Sequence, residues 1–168
     1  MDVSPSLYAE LEKRARWNLK ERGFGAVPDT ASLVNQAWIY VAKGKTPHFE
    51  TRAEFLAYCS KAMRSVLLNC ARERRALKRG GDAKAAPLSE LDSRTTEDRA
   101  VEQVIFVHEK LDKLAAYDAN LARLVELIYF GGCTKQEAAQ VLDKTTDAVE
   151  SDWAFAKMWL RGELSNEE

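Results

Sequence analysis

The 168 residues contain only three cysteines and two histidines. Cys59, Cys70 and Cys133 form no C-x-x-C pair, and His48 and His108 are too few to complete a zinc site with them. The odd number argues for reduced thiols and against a disulfide framework. Apolar runs are equally scarce. The longest, Ala37 to Ala42, falls far short of the roughly 20 residues that span a bilayer. Met1-Asp2-Val3-Ser4-Pro5 lacks the basic and apolar stretches of a secretory signal. No stretch alternates like a strand, and no Asn-Gly turn joins two such stretches. There is no phosphate loop and no nucleophile with a matching base. The expectation is an all-α cytoplasmic protein that is not an enzyme, with no cofactor, metal, membrane attachment or small-molecule substrate.

Net charge is also nearly absent, at −1, but its distribution is uneven. Residues 1–60 carry +1, with eight basic and seven acidic side chains. Residues 61–84 carry eight basic against two acidic, a net +6, and residues 85–168 carry nine against seventeen, a net −8. A basic block inside a neutral chain points to a polyanion partner; the plainer alternative is a solvated basic helix end.

Helical spacing runs through the chain. Leu7, Leu11, Ala15 and Leu19 form one stripe, closed by Gly23 and Gly25. Leu33, Val34, Ala37, Trp38 and Val41 form a second. Thr51-Arg52-Ala53-Glu54 reads as a capping box opening a third helix. That helix has an apolar first half (Phe55, Cys59, Met63, Val66, Leu67, Cys70) and a basic second half reaching Gly80-Gly81. Residues 81–98 read as a linker. Four further helices follow, around residues 101–114, 121–128, 134–142 and 145–164. The predicted architecture is two small helical domains, three helices in residues 1–80 and four in 99–168, joined by a flexible linker.

The last two helices have helix-turn-helix spacing. Small Ala139 lets them approach, Asp143 stands where the tight turn needs a left-handed residue, and Val149 is the buried anchor. Thr146, Asp147, Glu150, Ser151 and Lys157 then face outwards. A plain helical hairpin has a similar pattern. Phe49, Phe55 and Tyr58 lie near the basic block, and rings among cations suit single-stranded nucleic acid; Phe55 is assigned to the core.

These residues also resemble a known family, the extracytoplasmic-function (ECF) sigma factors of bacterial RNA polymerase. Phe55-x-x-Tyr58, then Ala62-Met63-Arg64-x-x-Leu67-x-Asn69-x-x-Arg72-x-Arg74-Arg75 and Lys78-Arg79-Gly80-Gly81, is similar to the family's promoter −10 helix. Asp118 to Ile128, Gly131-Gly132-Cys133-Thr134-Lys135-Gln136-Glu137-Ala138-Ala139 and Asp152-Trp153-x-x-Ala156-Lys157-x-Trp159-Leu160 are similar to its −35 domain. The resemblance implies that residues 1–80 (sigma domain 2) bind the polymerase clamp and open the −10 element. It implies −10 contacts from Tyr58, Arg64, Asn69, Arg72, Arg74, Arg75, Lys78 and Arg79. Residues 99–168 (sigma domain 4) would read the −35 element through Thr145, Thr146, Glu150, Ser151 and Lys157. Core RNA polymerase and promoter DNA are the implied partners.

Two departures stand out. The clamp-binding segment of the family carries acids where this chain has Ala31, Ser32 and Gln36, with Asn35 beside them. Hydrogen bonds to charged groups contribute about 1.5–3 kcal/mol each, so their loss weakens polymerase binding. The recognition helix is acidic at Asp147, Glu150 and Asp152 where the family is usually basic; glutamate can still accept a hydrogen bond from cytosine. Phosphorylation by a Ser/Thr protein kinase would restore negative charge near the clamp segment. Thr51 is the favoured acceptor, in an exposed loop at a helix start, with Ser32 and Thr30 as alternates. The rival reading is a helical adaptor with a degenerate sigma fold that binds protein in place of promoter DNA.

Overall fold

The computed structural model describes residues 5–22, 49–80 and 96–166, with Ser32, Val34, Asn35, Gln36 and Ile39 between the first two stretches. Among the described residues every element is helical and no strand occurs. Helix α1 is Pro5–Arg22, α2 is Arg52–Gly80, α3 is Thr96–Tyr117, α4 is Ala119–Val125, α5 is Lys135–Leu142 and α6 is Thr146–Asn166. The expected second helix is seen at Ser32, Val34–Gln36 and Ile39, all helical, with Val34 fully buried. Residues 81–95 of the expected linker lie outside the described residues, and α3 already begins inside the stretch assigned to it.

Helix starts follow local chemistry. The Thr51 hydroxyl accepts from the Glu54 N–H at 3.2 Å, while the Glu54 carboxylate accepts from the Glu50 N–H at 2.9 Å. The reciprocal arm of the expected box thus lands one residue upstream. Asp118 caps α4 by accepting from the N–H groups of Asn120 and Leu121. Thr134 and Glu137 form a complete capping box on α5.

The helix expected over residues 121–128 is not uniform. After Val125 the backbone widens into a π-helical turn, Glu126–Phe130, closed by Gly131 N–H donating to the Glu126 carbonyl at 3.0 Å. The wider turn points Leu127, Tyr129 and Phe130 all inwards.

The buried residues form one cluster that crosses from the first half into the second. It includes Leu11, Phe55, Leu56, Met63 and Leu67, and then Val104, Leu114, Leu124, Val125 and Phe130. Helix α2 packs against α3, against the π turn and against α5. Two glycines permit the approach. A Cβ on Gly131 would lie 1.9 Å from the Ser60 hydroxyl oxygen, and Gly132, at φ +67, has the Trp17 ring against it.

The helix-turn-helix register matches the sequence expectation. Asp143 is left-handed at φ 54, ψ 51; Ala139 is buried; Val149 and Ala156 are fully buried. The Thr145 hydroxyl accepts from the Ala148 N–H at 3.1 Å and so starts α6. Farther along, Lys113 pairs with Glu163 at 2.6 Å, and Tyr117 stacks on Phe155, fastening α6 to α3. Val149→Asp places an unpaired carboxylate in this core and is expected to cost on the order of 4 kcal/mol. Thermal melting by circular dichroism should fall by about 10 °C or more, whereas exposed Glu150→Arg should melt like the parent. Parental melting of Val149→Asp would mean that the register is wrong.

Candidate nucleic-acid interface

Helix α2 carries its basic and polar residues on two distinct faces. Eleven residues make just over three whole turns, so Tyr58 and Asn69 share a face, with Lys61 and Arg72 beside them. All four are exposed, Tyr58 by 40%. Arg64 and Arg75, also eleven apart, lie roughly a third of a turn away from that stripe, towards the second half of the chain. Arg64 donates through Nη1 to Glu126 Oε2 at 2.8 Å and through Nε to His108 Nδ1 at 3.2 Å. Its guanidinium also sits 5.8 Å from the centroid of the Phe130 ring. Arg75 donates to Glu102 at 2.9 Å. Arg74 is half-buried. Lys78 and Arg79 belong to α2, but their side chains lie outside the described residues. The structure therefore exposes Tyr58, Asn69 and Arg72, and ties Arg64 and Arg75 to carboxylates.

The rings near the basic block also divide. Phe49 and Phe55 are buried, and Phe49 meets Phe55 and Tyr58 edge-on, each at 5.6 Å. Phe49 is thus a support for Tyr58 and offers no face to a base.

On the helix-turn-helix, Thr145, Glu150, Ser151 and Lys157 are exposed and Thr146 is partly covered. The acids there are not bare: Lys144 pairs with Asp152 at 2.9 Å, and Lys135 lies 3.9 Å from Glu150. Lys157 sits over the Trp153 ring. At the clamp segment, Ser32, Asn35 and Gln36 are exposed on helical backbone, and Asn35 accepts from the Tyr8 hydroxyl at 3.0 Å. Ala31 and Thr30 fall outside the described residues. Thr51 is exposed.

A second constellation escaped the sequence reading. Glu10 and Arg14 of α1, Arg52 at the start of α2 and Glu137 of α5 form a closed square of ion pairs. Arg14 also donates to the Gly132 carbonyl at 3.0 Å, and the buried Asn18 amide donates to the Phe130 carbonyl at 2.7 Å. Burial alone would push both carboxyls up. Hydrogen bonds from Arg52 and Arg14 to Glu10, and from the Thr134 N–H and both arginines to Glu137, outweigh it and hold both low. Partial burial, with Arg64 and Arg72 nearby, lowers the His108 imidazole below its ordinary 6.5. Asp112 and Glu109 oppose this weakly. Burial pushes the Cys59 thiol up to about 12 and Cys70 up to about 11, and raises Cys133, so none is poised for thiolate chemistry. Apart from the local pair Glu10–Arg14, the partners lie 42 to 123 positions apart, and one sequence gives no sign that they meet.

Among the described residues, an all-helical fold carries a basic helix and a helix-turn-helix, the parts a DNA-associated regulator uses. The ECF sigma factor family matches it over residues 2–166, nearly the whole chain. The chain belongs to that family, and is a transcription initiation factor of the sigma type. Neither a curated protein nor a solved structure matches it. Among the described residues no helix is long and apolar enough to cross a membrane.

The pH dependence follows from these groups. Because the folded His108 titrates below 6.5, its contribution is complete above that pH and is lost as pH falls towards its folded value. Glu10 and Glu137 contribute fully above about 4.5 and lose that contribution at still lower pH. Denaturant unfolding should show stability declining in two stages on acidification. His108→Gln retains an acceptor for Arg64 without titrating, so it should flatten the upper stage and spare the lower. An unchanged upper stage would remove His108 from this account.

Proposed function

We propose that α2 opens and holds the promoter −10 strand, that α6 docks at the −35 element, and that the segment around Ser32, Asn35 and Gln36 meets the polymerase clamp. Residues 1–80 then act as sigma domain 2 and residues 99–168 as sigma domain 4. The observation that carries this reading is the exposed stripe Tyr58–Lys61–Asn69–Arg72 on one face of a 29-residue helix. It sets a ring and cations along one line, as a single strand requires. Arg64, Arg74, Arg75, Lys78 and Arg79 extend the charge to neighbouring faces. At the −35 element, Thr145, Thr146, Glu150, Ser151 and Lys157 form the reading surface, with Lys144 and Lys135 offsetting the acids. The triple variant Arg72→Ala/Arg74→Ala/Arg75→Ala should keep its helical circular dichroism, because Arg72 is exposed and the partly exposed Arg75–Glu102 pair adds little stability. It should lose promoter opening by permanganate footprinting with core polymerase. Full opening by the variant would refute the assignment.

Regulation is proposed at Thr51. It is exposed and caps α2, where a phosphate meets the positive end of the helix dipole. Its neighbour Arg52 bridges Glu10 and Glu137, so a phosphate on Thr51 would compete with those carboxylates for the guanidinium. Such a phosphate would supply about −1.5 to −2 charges to a domain whose clamp segment lacks acids. Thr30 and Ser32 are alternate acceptors. Core-polymerase pull-down should be weak for the unmodified chain and strong after modification by a Ser/Thr kinase. Thr51→Ala should abolish the difference, and equal binding of both forms would leave Thr51 as a cap only. A second reading, a helical adaptor that binds protein, draws support from the acids on α6; run-off transcription with core polymerase separates the two.

A further inference from the structure

Helix α6 turns one apolar face to solvent. Its inward side is Val149, Trp153, Ala156 and Leu160, which pack into the core. On the opposite side Ser151, Phe155, Met158, Gly162 and Ser165 recur at alternating intervals of four and three, the spacing of a helix-pairing seam. Phe155 is 37% exposed and Met158 61%, and Tyr117, stacked on Phe155, is 64% exposed. Gly162 has open space before it, where a Cβ would meet nothing within 4 Å. Charge is also sorted along this helix. Asp147 and Glu150 are exposed towards its start, and Lys157 and Arg161 towards its end.

We propose that this face pairs with the same face of a second copy of the chain, with the two α6 helices antiparallel about a twofold axis. Parallel helices would bring the two acidic starts together. Antiparallel ones set the acidic start of each against the basic end of the other, and their dipoles oppose favourably. With Phe155 of one copy against Met158 of the other, symmetry sets Gly162 against Ser151. It also brings Glu150 almost level with Arg161 of the second copy, and every such contact is made twice. Large side chains then fill the centre of the seam, and small ones at its ends let the backbones approach. From Ser151 to Gly162 the seam runs only roughly 17 Å, so the contact is small and pairing belongs to high protein concentration. Glu150 and Ser151 belong both to this contact and to the surface assigned to the −35 element, so a paired chain cannot use α6 on DNA. The pairing itself does not depend on that assignment.

Sedimentation equilibrium of the full chain, without DNA, reads the pairing as mass against concentration. The mass should rise from 18.9 kDa towards twice that value. Met158→Glu, at an exposed position, should hold it at one chain while melting like the parent. Glu150→Arg and Arg161→Glu change net charge in opposite directions. Each should nevertheless raise the dissociation constant about tenfold or more, because like charges then meet twice. The double variant Glu150→Arg/Arg161→Glu restores both pairs and should bring the constant back to within about threefold of the parent. A parent that stays single at every concentration overturns the proposal. So does pairing that Met158→Glu leaves intact, or a double variant as weak as the singles, since either puts the contact on another face or in another register. Because no DNA is present, these outcomes are independent of the −35 reading of α6.

Discussion

Arg64 is carried on a face of α2 that the rest of the chain covers, and its charge is met there by Glu126, with His108 as a second acceptor and the Phe130 ring alongside. Taking a guanidinium out of water is costly unless a carboxylate and further acceptors surround it. Here the partners come from α3 and from the π turn. The widening of the helix over Glu126–Phe130 is what turns Leu127, Tyr129 and Phe130 together towards the core. For a part-buried pair of this kind, desolvation offsets much of the mutual attraction. Replacing either member leaves the other uncompensated, so the two halves are matched at this point.

The same matching accounts for the chain's charge. A basic block of +6 and a C-terminal half of −8 cancel almost completely, and the cancellation occurs partly through direct contact. The glycines complete the fit. Gly131 leaves room for Ser60 and Gly132 for Trp17, so backbone of the second half reaches side chains of the first. Apolar burial across the boundary then joins what the linear pattern divides.

Helix-forming stretches and their local signals were legible in the sequence. The left-handed Asp143, the anchors Ala139 and Val149 and the Thr51 cap all depend on residues within a few positions of one another. The family motifs were legible for the same reason, because they are local and ordered. What was not legible depends on contacts between distant segments. The π turn arises where several apolar residues must all face inwards, and nothing in Glu126–Phe130 alone favours it over an α-turn. The pairing of Arg64 with Glu126, or of Arg14 with Glu137, has no periodicity to announce it. Phe49 looked available for stacking because its burial is set by Phe55 and Tyr58 together.

The account makes the joined halves one body in the absence of partners. Small-angle X-ray scattering of the full chain at low ionic strength measures this directly. A single packed body of 168 residues has a radius of gyration of about 15 Å. That is the value the account predicts. A radius above about 20 Å at low salt, unchanged by added salt, would mean that the halves move independently, and would contradict it.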